Sequence, residues 1–210
     1  MVNMIDSFFF ILILITSVVI HEVAHGYVAY RYGDLTAQMA GRLTMNPLKH
    51  IDIVGSIIVP ITLLLVNAGF LVGWAKPVPI NDRNFTKRKE GLFAVSIAGI
   101  CANFIIAIFF AIVLRVSINF GFYNESFEYI VSIIIFLNII LGFFNLIPIP
   151  PLDGSKILLS LLPGDTRKIE YFFDRYGIVL LIFFIIFVWD KFIPIVLWIY
   201  TILTGMSIIL

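Results

Sequence analysis

Charge is what this chain has least of. Only 13% of its 210 residues are charged, against 61% hydrophobic, and the mean hydropathy is +1.07. A soluble domain carries about 25% charged residues, so this composition excludes one and indicates a polytopic membrane protein. The net charge of +1 gives no basic excess of the kind that binds nucleic acid. The one cysteine, Cys101, lies in an apolar stretch and has no partner for an intrachain disulfide. It reads as a small packing residue. No polar connection is longer than about twenty residues, too short for a soluble domain. There is no repeat and no low-complexity linker, so residues 1–210 read as one integral-membrane domain.

What fills the chain instead is apolar sequence at roughly 8–31, 53–73, 92–114, 129–149, 176–189 and 192–210. The expected fold is all-α and polytopic, with about five to six apolar segments. The last two are short and split by Asp190, Lys191 and Pro194, which predicts one span plus a half-span. The first seven residues contain no Lys or Arg, unlike a cleaved signal peptide. Residues 8–31 therefore read as a retained helix, about 36 Å long at 1.5 Å per residue and long enough to span. Thr36, Gln38, Arg42 and Thr44 predict short extended segments around Gly41. Pro77 and Pro79 exclude helix from 73–81. The two pieces predict a small membrane-associated β element.

Against this apolar background stands HEVAH, His21–His25. HExxH sets two histidines at i and i+4 on one helix face, with a glutamate beside them. That spacing binds zinc and supplies a general base. From this chain's composition the pattern arises by chance about once in a thousand such sequences. Three ionisable groups in five residues at membrane depth are costly and mark function more readily than packing.

Catalytic zinc usually takes three protein ligands and keeps one open position. Six residues after His25 stands Arg31, which excludes the long metzincin pattern, and no glutamate occurs between Glu22 and Glu90. His50, Asp34 and Asp52 lie in polar sequence expected at the surface. Asp153 closes NLIPIPPLDG, Asn145–Gly154, just after an apolar run. Its prolines predict irregular backbone there, which needs protein or a cavity around it. By spacing alone an ordinary Asp-Gly turn explains Asp153 equally well.

Segment 53–73 contains Gly55, Pro60, Asn67, Gly69 and Gly73 and either spans or re-enters. A full span divides the fourteen Lys and Arg residues nine against five. A re-entrant segment moves Arg31, Arg42 and Lys49 across, giving twelve against two. The positive-inside rule prefers the second. It predicts an external N-terminus, a cytoplasmic 31–91 connection and an active site toward the cytoplasmic side of the cell membrane. Depth agrees. The histidines in the second half of the first span meet Asp153 only if the first and fourth apolar segments run parallel.

At these residues the chain resembles the site-2 protease family of intramembrane zinc metalloproteases. HEVAH matches its HExxH, and NLIPIPPLDG its NxxPxPxLDG. SIAGICAN, Ser96–Asn103, is similar to the family's AGPxxN segment, with Ile100 where proline is usual. GRLTMNPLKHID and GWAKPVPIN resemble the short bacterial branch without a PDZ domain. The likeness covers about residues 8–160. It implies one Zn²⁺ per chain held by His21, His25 and Asp153, with Glu22 as general base. It also implies that Asn145 and Asn103 contact the substrate or support the site. The expected function is hydrolysis of membrane-spanning protein substrates within the bilayer. A membrane metal-ion transporter using the same buried ligands is the alternative, and it leaves Glu22 without a role. A scaffold with a structural metal would need neither a base nor an open position.

Overall fold

The computed structural model describes residues 4–58, 62, 65, 75–122 and 124–206. The described residues form the helices α1 (Met4–Arg31), α2 (Thr36–Met39), α3 (Arg88–Asn119) and α4 (Glu125–Leu146). They continue as α5 (Asp153–Leu161), α6 (Arg167–Phe187) and α7 (Trp189–Thr204). Short turns of 3₁₀ helix occur at Pro47–Lys49 and Asp82–Asn84, and Ile53–Ile58 is π-helical.

Three helices are long and apolar enough to cross a membrane: Phe9–Arg31, Arg88–Asn119 and Glu125–Leu146. The α6–α7 pair, bent by 68°, makes a fourth if it counts as one span. The chain is therefore an all-helical membrane protein with three to four candidate spans among the described residues. Most of segment 53–73 lies outside the described residues. The break in the C-terminal pair falls at Val188, and Asp190 and Pro194 lie inside α7.

No strand occurs among the described residues, so the expected β element is not found there. Thr36 and Gln38 lie in α2, not in extended chain. The reason is local chemistry. Asp34 Oδ1 accepts from the Thr36 N–H, an Asx turn that starts a helical turn. The Arg42 N–H reaches the Ala37 carbonyl and the Gly41 N–H that of Gln38, the Schellman pattern that ends one. Gly41 sits at the left-handed position with φ 64°. Residues 75–80 form neither helix nor strand.

α3 is the axis of the molecule. Its small residues Gly99, Ala107 and Ala111 let neighbouring backbones approach closely. Ala107, Ala111 and Leu114 pack with Val131, Ile135 and Ile139 of α4 and Val196 and Tyr200 of α7 in one apolar core. Asn124 caps α4 through the Phe127 N–H at 2.7 Å, with Glu125 and Glu128 in the first turn.

Contacts along α1 descend along α3, from His21 against Asn103 to His25 against Val95 and Tyr32 against Thr86. The two helices are antiparallel. The short 120–124 connection makes α4 antiparallel to α3 in turn, so α1 and α4 run the same way. The Thr86 N–H donates to the Tyr32 carbonyl at 3.0 Å, and Asp34 accepts from the Asn81 N–H at 2.7 Å. The long connection between α1 and α3 thus leaves and returns at one place.

Candidate metal centre

The i, i+4 spacing turns His21 and His25 of α1 toward α3, where Gly99 makes room for them. A Cβ at Gly99 would lie 2.5 Å from His25 Nε2 and 2.7 Å from His21 Nδ1. Each ring is fixed through its other nitrogen. His25 Nδ1 donates to the Val95 carbonyl at 2.6 Å, and His21 Nδ1 to Asn103 Oδ1 at 2.6 Å. The Asn103 amide N–H donates to Asn138 Oδ1 at 2.9 Å, and Asn138 donates to Ser17 Oγ at 2.9 Å and the Ile134 carbonyl at 2.8 Å. This one-way chain makes Asn103 an acceptor toward His21, so both Nε2 atoms keep their lone pairs for a ligand.

Asp153 opens α5, a more regular setting than the irregular backbone expected. Gly154 puts it there. A Cβ at that residue would meet the Leu146 carbonyl oxygen at 2.3 Å and that of Ile147 at 2.4 Å, so only glycine lets α5 abut the end of α4. The first helical turn suits a carboxylate. Asp153 Oδ2 lies 3.2 Å from His21 Nε2 and 3.0 Å from His25 Nε2, and the two Nε2 atoms are 2.9 Å apart. Its other oxygen lies 3.5 Å from Lys156 Nζ.

Two imidazoles and a carboxylate are a catalytic zinc set. Zinc bonds of about 2.0–2.1 Å put tetrahedral corners about 3.3 Å apart, and this triangle needs only slight opening to match. The fit is chemical as well as geometric, since all three donors are buried and each histidine is braced from behind.

Glu22 is half-buried beside the histidines, and its Oε2 accepts from the Val78 N–H at 2.7 Å. Val78 seats on Gly26, where a Cβ would meet its Cγ1 at 2.8 Å. A cavity of about 160 Å³ opens at this point, lined by the histidines with Glu22, Val78, Ser96, Asn145, Asp153 and Lys156.

The sequence-predicted residues thus separate. His21, Glu22, His25, Asp153 and Asn145 share one cavity. Asn145 also donates to the Leu141 carbonyl at 3.0 Å. Asn103 is fully buried behind His21, with its amide engaged on both sides. His50 and Asp34, expected at the surface, are buried and stand outside the metal-ligating group. His50 Nε2 lies 2.9 Å from the Thr44 carbonyl. Burial pushes the Asp34 carboxyl up, but donors from Thr36, Asn81 and Asn84 outweigh it and hold the group below the usual carboxylate range. Asp52 accepts from the Gly55 N–H at 2.7 Å.

Sequence reasoning missed Asn138 and Ser17, the Val95 carbonyl and the Val78 N–H. Asn138 carried a signal, being an amide inside an apolar span that needs a buried partner. Backbone groups carry none.

Peptidase family M50 matches the chain over residues 118–188. YwhC of Bacillus subtilis (strain 168), whose name includes the words zinc metalloprotease, is 40% identical over 185 residues, covering 86% of this chain and 80% of that protein. Zinc metalloprotease MJ0392 of Methanocaldococcus jannaschii is 32% identical over 160 residues, covering 76% of this chain and 35% of its own. Rip2 of Mycolicibacterium smegmatis is 29% identical over 165 residues, 76% of this chain and 60% of that one. No solved structure matches. The family and these relatives favour protease over transporter and imply zinc at the His–His–Asp cluster. The chain belongs to peptidase family M50, the site-2 protease family, and is a zinc metalloprotease.

Proposed function

We propose that this protease, acting as a single integral-membrane domain over residues 1–210, hydrolyses peptide bonds in membrane-spanning segments of other proteins. His21, His25 and Asp153 hold one zinc ion, and Glu22 is the general base. The observation that carries this reading is the convergence of three donor atoms from α1 and α5, 2.9–3.2 Å apart, with the Glu22 carboxylate in one cavity against the apolar helix α3.

When bound, zinc supplies Lewis-acid polarisation of the scissile carbonyl and activates water at neutral pH. The chain's own residues do the rest. Glu22 takes a proton from the attacking water and delivers it to the leaving amine. The Val78 N–H holds the carboxylate in place at 2.7 Å. The Val95 carbonyl and Asn103 keep the two imidazoles in one tautomer. Asn145, which lines the cavity, contacts the substrate backbone. Asn103 supports the site from behind and does not touch substrate.

The chain lies in the cell membrane with its N-terminus outside and its active site toward the cytoplasm. Two observations support this topology. The Tyr32–Thr86 hydrogen bond closes the α1–α3 connection on one side, which a single crossing between them would prevent. The parallel run of α1 and α4 brings the histidines to Asp153.

Glu22→Gln keeps the shape and the ligands but cannot take a proton. Purified in detergent and returned to vesicles, it is expected to hold zinc as the wild type does and to leave a membrane-spanning substrate intact. Cleavage at more than about a hundredth of the wild-type rate would refute the role of Glu22.

A further inference from the structure

The face of α3 that meets the zinc histidines carries one group with no task yet. Gly99 receives the rings and Asn103 braces His21. Three residues before Gly99, and so on the same face, lies Ser96. Its side chain is 1% exposed and lines the cavity with Glu22, Asp153 and the histidines. Its Oγ has no hydrogen-bond partner among the described residues. Other polar groups in the wall already have partners: the Val78 N–H donates to Glu22, Asn145 Nδ2 to the Leu141 carbonyl, and Lys156 pairs with Asp153. A serine mid-helix commonly back-bonds to the carbonyl four residues earlier, and no such bond is recorded for Ser96. A buried hydroxyl without a partner is costly, and this one belongs to a residue that lines the reaction cavity.

We propose that Ser96 is a catalytic hydroxyl whose Oγ–H donates to the scissile carbonyl oxygen as that oxygen gains negative charge. The assignment rests on the peptide-hydrolase reading above. As the water oxygen bonds to the carbonyl carbon, the carbonyl π pair moves onto oxygen and the water proton passes to Glu22. Collapse restores the carbonyl, breaks the C–N bond and sends that proton to the amine. Ser96 keeps its own proton throughout. It strengthens its bond as charge develops and so acts on kcat more than on binding.

The test compares wild type, Ser96→Ala and Ser96→Thr in vesicles on a membrane-spanning peptide. Four readouts are taken: cleavage, zinc content, thermal stability, and affinity for a phosphonamidate analogue of the peptide. Ser96→Ala removes no hydrogen bond among the described residues, so its stability and zinc content are expected to stay at the wild-type level. Its kcat is expected to fall roughly 10²-fold with KM little changed. Its phosphonamidate affinity is expected to fall by a similar factor, while affinity for uncleaved peptide, measured on the Glu22→Gln background, stays constant. Ser96→Thr, which keeps the hydroxyl, is expected to recover most of the loss. Cleavage by Ser96→Ala within threefold of wild type, or a loss matched by lost zinc or stability, would overturn this assignment alone. A wild type that binds no zinc or cleaves no such peptide would overturn the hydrolase reading and this assignment with it.

Discussion

Gly99→Ala adds one methyl group at the point where α3 meets both histidines of the candidate metal centre. The new Cβ would lie 2.5 Å from His25 Nε2, 2.6 Å from His21 Cε1 and 2.7 Å from His21 Nδ1. Ordinary contact begins near 3.5 Å, so rings or helix must part by about 1 Å. The rings cannot swing aside, because each is held through Nδ1 by a 2.6 Å hydrogen bond, one to Asn103 and one to Val95 of α3 itself. Moving α3 away carries both tethers with it. Zinc sites tolerate ligand displacements of about 0.2 Å. The expected loss of zinc affinity is at least 10²-fold, or about 2.8 kcal/mol at 1.4 kcal/mol per decade. Alanine meanwhile favours helix over glycine by about 1 kcal/mol, so α3 itself should survive. The assay is zinc retained by the detergent-purified protein across a series of chelator concentrations, with helix content followed by circular dichroism. Ala98→Gly, one residue away on the same helix, serves as control and is expected to keep its zinc. A Gly99→Ala protein that holds zinc within threefold of the wild-type affinity would refute the packing of α3 against the histidines.

Asn103→Ala removes the acceptor that orients His21 and leaves Asn138 without a donor. Zinc affinity is expected to fall 10- to 100-fold in the same chelator assay, and Asn103→Asp, which keeps an acceptor, to fall less. Asp34 titrates lower folded than unfolded, so its hydrogen bonds to Thr36, Asn81 and Asn84 contribute fully above the unfolded value near pH 4 and fade as pH falls through the folded one. Proteolysis within residues 75–87 is therefore expected to be flat from pH 8 to about 5 and to rise only below about 4. Asp34→Ala, by leaving the Asn81 N–H without its acceptor, is expected to raise proteolysis at neutral pH and remove that dependence, at a cost of about 1–3 kcal/mol.

Much of the candidate site was legible because it is local in sequence. HExxH sets two imidazoles and a carboxylate side by side by helix geometry alone, and LDG puts Asp153 beside the glycine that lets α5 touch α4. The bracing of His21 was half legible. Asn103 stood out as polar in an apolar helix, but its bond to His21 depends on packing 82 residues away in sequence. The β element failed at Asp34. Alternating residues around Gly41 suggested extended chain, while the Asp34 carboxylate, accepting from Thr36 two residues on, turned it into a helical turn. Asp34 and His50 were misplaced at the surface for a related reason. Composition predicts where polar residues go on average, and it cannot see that Thr36, Asn81 and Asn84 supply enough donors to bury one carboxylate.

The hydrogen-bond accounts of residues 76–79 limit how a substrate strand can lie against them. The Lys76 N–H donates to the His50 carbonyl at 2.8 Å and the Val78 N–H to Glu22 at 2.7 Å. Pro77 and Pro79 have no N–H to give. Four consecutive residues beside the cavity therefore have no free backbone donor. An unwound substrate pairing here must bring its own N–H groups to these carbonyls, and a regular two-way ladder cannot form. The prolines that excluded helix from the sequence also bear on Glu22. With neighbours that donate nothing, Val78 offers the sole backbone donor of 77–79, and that donor is fixed on Glu22. Any strand that pulled Val78 outward would release the Glu22 carboxylate it holds.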